Sequence, residues 1–232
     1  SFTPGSAIYP EKISANTTNG FSIINYTGNG DPGDSGQTIA HGLSQAPEIG
    51  FFKNMDAARD WLVGATPVGW TEYAALNELS RFSAEASVWR NTAPTASFIT
   101  IGNSNSNNTS GEDYICYAFH SVEGYSKVGG YTGNGNADGT FIYTGFKPAY
   151  ILIKSYSNSS TNWLIHDDAR DPYNPAGKNI NANEGDVENE KIIDMVSNGF
   201  KAREDDNHFN GDGYDYLYLA VAESPFKTSN AR

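Results

Sequence analysis

The densest grouping of reactive side chains is His166-Asp167-Asp168, with Asp171 close behind. A histidine that titrates near neutrality beside several carboxylates is raw material for a hydrolase or a metal site. In an extended segment alternate residues point to opposite faces, so His166 and Asp168 share one side and Asp167 takes the other. The competing reading is a polar strand end, where Asp168 or Asp171 pairs with Arg170 or turns the chain before Pro172. That reading is the stronger one, because no nucleophile accompanies the group. Cys116 alternates within an apolar strand pattern, and no serine stands in a nucleophile elbow. No catalytic residue is assigned.

A second grouping joins Glu204-Asp205-Asp206-Asn207 to Asn210-Gly211-Asp212-Gly213-Tyr214-Asp215. Ca²⁺ takes six to eight oxygen ligands, which such a loop contains. The spacing lacks the twelfth-position glutamate of an EF-hand, and a solvated acidic hairpin loop accounts for it as well. No metal or cofactor is assigned. A third set is aromatic: Tyr9, Tyr73, Tyr125, Tyr143, Tyr156 and Tyr173 fall in or beside loops. Sugars present apolar C–H faces edged by hydroxyls, which suit flat rings with polar neighbours. Most tyrosines in a small β-domain are instead half-buried, so no individual sugar contact is named.

The elements that must position these groups come twice. Tyr26-Thr27-Gly28-Asn29-Gly30 returns as Tyr131-Thr132-Gly133-Asn134-Gly135, a shift of 105 residues. Ala46-Pro47 through Lys53 lies over Lys147-Pro148 through Lys154 at a shift of 101. Trp61 falls on Trp163, and Gly111 to Tyr114 on Gly213 to Tyr216, both at 102. The chain is an internal duplication. Gly-Asn-Gly resembles part of a phosphate loop, but no helix start or Lys-Ser/Thr follows, so that function is rejected.

Each copy opens on a β-branched and aromatic strand, Phe21 to Tyr26 in the first. Each continues through an apolar run (Glu48 to Lys53, Ala149 to Lys154) and closes on Asp113 to His120 or Asp215 to Ala222. The closing strands carry large residues on both faces and read as interior strands. Trp61 and Trp163 are expected as core anchors; burying one removes roughly 150–250 Å² from water, worth about 4–6 kcal/mol at most. One short helix is predicted, in the second copy, over Val187 to Ser197: Asp186 caps it and Asn198-Gly199 stops it. A shorter counterpart is expected around Ala84 to Trp89. The expected architecture is all-β, with two tandem pseudo-repeated β-sandwich units packed together. The expected boundaries are a linker at 1–19, the first repeat at 20–123 and the second at 124–232.

Composition narrows the function. Fifteen basic against 27 acidic residues give a net charge of −12, which repels phosphate backbones and anionic membranes. No apolar run is long enough to span a bilayer as a helix. A single cysteine excludes an intrachain disulfide framework.

Five stretches carry a family resemblance. They are Gly20 to Gly30, Asn91-Thr92-Ala93-Pro94-Thr95, Val122-Glu123-Gly124-Tyr125-Ser126-Lys127, Gly139 to Pro148, and Ala222-Glu223-Ser224-Pro225-Phe226-Lys227. Together they resemble an uncharacterised set of bacteriophage virion proteins, mainly from phages of marine bacteria, commonly described as tail fibre or structural proteins. The resemblance runs from about Gly20 to the last residue. In that family such a unit closes a longer chain, which agrees with Ser1 to Asn19 as the end of a linker. It brings no catalytic residues, and the acidic Asp205-Asp206-Asn207-His208 departs from the family's usual Ser/Thr/Asn-rich loop. The resemblance implies a non-enzymatic protein of the virion surface, the C-terminal module of a tail fibre or appendage that binds a host glycan. By analogy with fibres a homotrimer is expected. The alternatives are a capsid decoration protein or head fibre and, more remotely, a polysaccharide depolymerase.

Overall fold

The structure is a computed structural model and describes residues 7–185 and 187–224. The chain forms two compact units. One contains residues 1–76 and 82–120, the other residues 77–81 and 121–232.

In the first unit the strands are β1 (Lys12–Asn16), β2 (Phe21–Thr27), β3 (Gln37–Ala40), β4 (Ile49–Asn54), β5 (Leu62–Ala65), β6 (Glu72–Ala75) and β7 (Ser83–Ala84). Helix α1 (Ala86–Trp89), β8 (Phe98–Ile101) and β9 (Asp113–Phe119) complete it. Seven strands form one sheet in the order β1-β2-β9-β4-β5-β6-β7, and β3 pairs with β8 separately. The second unit comprises β10 (Ser126–Thr132), β11 (Phe141–Tyr143), β12 (Pro148–Ser155), β13 (Leu164–Asp167), β14 (Ala176–Asn181), β15 (Asn189–Val196), β16 (Gly199–Ala202) and β17 (Asp215–Ala222). Its single sheet runs β10-β17-β12-β13-β14-β15-β16-β11.

The duplication is visible in the strand order. β2-β9-β4-β5-β6 in the first unit repeats as β10-β17-β12-β13-β14 in the second, and the β3/β8 pair repeats as β11/β16. The closing strands β9 and β17 are interior, each hydrogen-bonded on both sides. One face of each carries Tyr114, Cys116 and Ala118, or Tyr216, Tyr218 and Ala220, and this face points into the unit's core.

Three sequence expectations change. Residues 8–16 are not a linker: Ile8 is buried and bridges Ile39, and β1 is the edge strand of the first sheet, paired with β2. The helix expected over Val187 to Ser197 is strand β15, with Ile193 and Met195 facing the core in a period of two. Its expected cap, Asp186, lies outside the described residues. β15 sits between β14 and β16, whose ladders satisfy its backbone, and β-branched side chains fit that pleated surface. Asn198-Gly199 belongs to a tight hairpin, because Val196 pairs with Gly199 across it. Among the described residues the helix that does form is the single turn α1 in the first unit. The Glu85 side chain accepts from Ser87 N at 3.0 Å and Arg90 closes it in the left-handed region.

The third correction concerns the tryptophans. Trp163 is fully buried but Trp61 is half-exposed, stacked on Tyr117. Trp89 and Trp70 anchor the first core instead, with ring centroids 5.1 Å apart. Both matched tryptophans nonetheless sit under matched lysines. Lys53 Nζ lies 5.9 Å from the Trp61 ring and donates to Arg59 O; Lys154 Nζ lies 5.7 Å from the Trp163 ring and donates to Thr161 O. Lys154 also donates to Leu79 O, and burial pushes its amine down to about 8.

Candidate functional site

The repeated Tyr-Thr-Gly-Asn-Gly is a structural lock, built on the same plan in each unit. Tyr26 donates to Asn107 O at 2.7 Å, and Tyr131 donates to Phe209 O at 2.7 Å. Thr27 donates to Asp113 Oδ1, and Thr132 to Asp215 Oδ1. A buried asparagine holds each loop. Asn108 Oδ1 accepts from Asn29 N and Gly30 N, while its amide donates to Gly102 O. Asn210 Oδ1 accepts from Asn134 N, and its amide donates to Asn134 Oδ1, Asn136 O and Glu204 O. The third residue of the motif is glycine because another backbone passes through the space of a side chain. A Cβ on Gly28 would lie 2.2 Å from Thr109 O, and one on Gly133 would lie 2.4 Å from Gly211 O. Asn108 and Asn210, at a shift of 102 residues, are visible in the sequence once the repeat is aligned.

The His-Asp-Asp group does not converge. His166 is fully buried on the core face of β13, opposite Ile151 on one side and Asn179 on the other. Neither of its ring nitrogens has a hydrogen-bond partner, and Asn179 Oδ1 has none either. Burial pushes the imidazole down to about 4, against a smaller pull upward from Asp167 and Asp171. Two of the three carboxylates are committed elsewhere. Asp167 pairs with Arg170 at 3.1 Å, and Asp171 accepts from Gly177 N at 2.9 Å and from Lys178 N. The group is therefore a polar strand end, but the partner of Arg170 is Asp167 and not the expected Asp168 or Asp171. A buried neutral imidazole without an orienting partner has no route to substrate.

Three carboxylates of the acidic loop, Glu204, Asp206 and Asp215, are also committed. Asp206 binds Lys191 at 2.5 Å and His208 at 2.9 Å. Although burial pushes its carboxyl up, these two partners hold it well below the usual range. Glu204 accepts from Ile192 N, and Asp215 from Thr132. Among the described residues no three His, Cys, Asp or Glu side chains gather as a metal would require.

Of the six tyrosines, Tyr73 packs against the first core, and Tyr125 and Tyr156 are half-buried. Tyr9, Tyr143 and Tyr173 are 65%, 60% and 81% exposed. Tyr143 stands beside a pocket of about 330 Å³ in the second unit, lined by Ser121, Glu123, Lys127, Thr144 and Gly145 among others. The pocket forms where β10 meets β11. Strand alternation buries Ile142 beneath and turns the Tyr143 ring outward. Lys127, at the start of β10, donates to Tyr143 O at 3.2 Å and holds its ammonium 5.4 Å from the ring centroid.

In the first unit the equivalent place is packed. Ala40, Gly42 and Ser22 occupy the places of Tyr143, Gly145 and Lys127. In the first unit β1 lies over them: a Cβ on Gly42 would meet Ile13 Cγ2 at 3.0 Å and Ala15 Cβ at 3.1 Å. In the second unit β10 is the edge of the sheet, preceded only by the turn through Ser121 to Tyr125. A Cβ on Gly145, which like Gly42 has positive φ, would first meet the Tyr143 ring at 3.6 Å. The seat of β1 is left open, and a half-buried lysine and an exposed tyrosine stand in it.

No helix among the described residues is long and apolar enough to cross a membrane. No curated protein and no solved structure matches the chain. One family does: the sequence model for a domain of unknown function, DUF7483, matches residues 2–225, and the chain belongs to that family.

Proposed function

We propose that this chain is a non-enzymatic module of a bacteriophage virion surface protein, the C-terminal part of a tail fibre or similar appendage, and that it contacts a glycan on the host cell. The observation that carries the reading is the exposure of Tyr9, Tyr143 and Tyr173 on a scaffold whose other large rings are mostly buried. Tyr143 stands on strand β11, and a ring held by a strand loses little freedom on binding; the exposed faces of all three suit the C–H surfaces of sugars. With a net charge of −12, contact with an anionic cell surface falls to local neutral or basic patches. A homotrimer, assembled with other virion proteins, fits the same role by analogy with fibres.

Binding of the labelled chain to an array of bacterial surface polysaccharides tests the reading. Binding that periodate oxidation of the glycans abolishes supports it; binding to protein alone, or to none of the glycans, overturns it. A capsid decoration role is the second reading, favoured by the exposed edge strand β1, since an open strand edge suits a lattice neighbour. Labelling the particle separates the two: a few dozen copies or fewer indicate a fibre, hundreds a shell protein. A depolymerase has less support, because Glu123 is the one carboxylate lining the pocket and glycoside hydrolysis ordinarily uses two.

A further inference from the structure

Resting on that glycan reading, we infer that the pocket at the β10–β11 seam is the sugar site and that its ligand is an uncharged pyranose. The sugar lies on the Tyr143 ring, with hydroxyls shared between Lys127 and Glu123. The pocket's counterpart in the first unit is filled by Ile13 and Ala15 of β1, so the second unit exposes a seat that this fold otherwise covers with apolar side chains. About 330 Å³ is at the small end of the roughly 300–1,000 Å³ usual for small-molecule sites, the scale of one or two sugar rings.

The walls of the pocket supply both donors and acceptors. An ammonium carries three donors, and Lys127 spends one on Tyr143 O while lying near the ring. Glu123 supplies a carboxylate acceptor on the exposed rim. A pyranose hydroxyl is both donor and acceptor, so it can use both walls, and the apolar ring face is left for Tyr143. A sugar carboxylate would gain from Lys127 but lose to Glu123 and to the field of a chain with net charge −12. The lining is balanced in sign, which favours the neutral sugar.

The test is an NMR titration of the full chain with methyl glucoside, methyl galactoside and methyl mannoside, each against its matching uronate. The expected result is that at least one neutral glycoside shifts the amides of residues 121–127 and 143–145, with its uronate about threefold or more weaker at low salt. Tyr143→Ala should weaken binding at least tenfold and Tyr143→Phe should keep it; Tyr143 is exposed, so neither change threatens folding. Stronger binding of the uronate, shifts centred on Tyr173 or Tyr9 instead, or no shift with any of the six compounds would each overturn the assignment. The polysaccharide array decides the glycan reading separately. Array binding without these shifts removes the site and ligand class alone, while failure on the array removes the glycan reading itself.

Discussion

Lowering the pH from 7.5 to 5 should weaken this protein through His166, because the folded chain holds that imidazole neutral in an apolar layer. Its pKa falls from the ordinary 6.5 to about 4, mainly through burial. The unfolded chain therefore binds a proton in a pH range where the folded chain refuses it, and stability falls as pH falls. The contribution is complete above pH 6.5, declines between 6.5 and 4, and changes no further below 4. A tenfold loss of proton affinity is worth about 1.4 kcal/mol, so the whole displacement is about 3 kcal/mol and the part lost by pH 5 about 2 kcal/mol. At pH 5 ordinary carboxylates are still largely ionised, so the window isolates histidine.

The assay is urea unfolding of the full chain and of His166→Leu at pH 7.5 and pH 5. His41, which burial also pushes down, contributes equally to both proteins and cancels in the difference. The wild type should lose about 2 kcal/mol more than the leucine variant between the two pH values. Equal losses would refute the reasoning, and would mean that the imidazole finds solvent or an acceptor in the folded state.

The remaining predictions concern the duplicated lock and the core. Asn210→Ala removes four hydrogen bonds at once and should cost about 2–4 kcal/mol, with Asn108→Ala similar, read as changes in denaturation midpoint; a loss near zero would mean that the loop is held elsewhere. Gly133→Ala and Gly28→Ala force a Cβ onto a carbonyl and should each cost about 1–3 kcal/mol, whereas Gly185→Ala, with open space around it, serves as the mild control. Burial pushes the Cys116 thiol up and closes it off, so a thiol reagent should modify it only on unfolding; prompt modification of the native protein would contradict the buried position.

The duplication and most strands were legible in the sequence because alternation and turn residues are local signals. The closing strand expected over Asp215 to Ala222 has those very limits. Strand β15 was not legible in this way. Its Ile192, Ile193 and Val196, with Val187 just before it, satisfy helical spacing, and only the ladders of β14 and β16 on either side select the extended form. Trp61 and Trp163 match in sequence yet differ in burial, since burial depends on what covers each ring. Residues 8–16 read as linker because a polar edge strand has no strong pattern; pairing with β2 makes it a strand.

The amino-acid sequence alone determined that this chain is β-rich, doubled and acidic, because composition and repeat are properties of the string itself. Tertiary structure decided where the two copies differ. Whether His166 is reactive or entombed, whether the acidic loop is free or paired, and whether a seam is filled by β1 or open beside Tyr143 all depend on residues far apart in the chain. Such long-range contacts set burial and partner choice, and those two quantities govern the chemistry of each side chain.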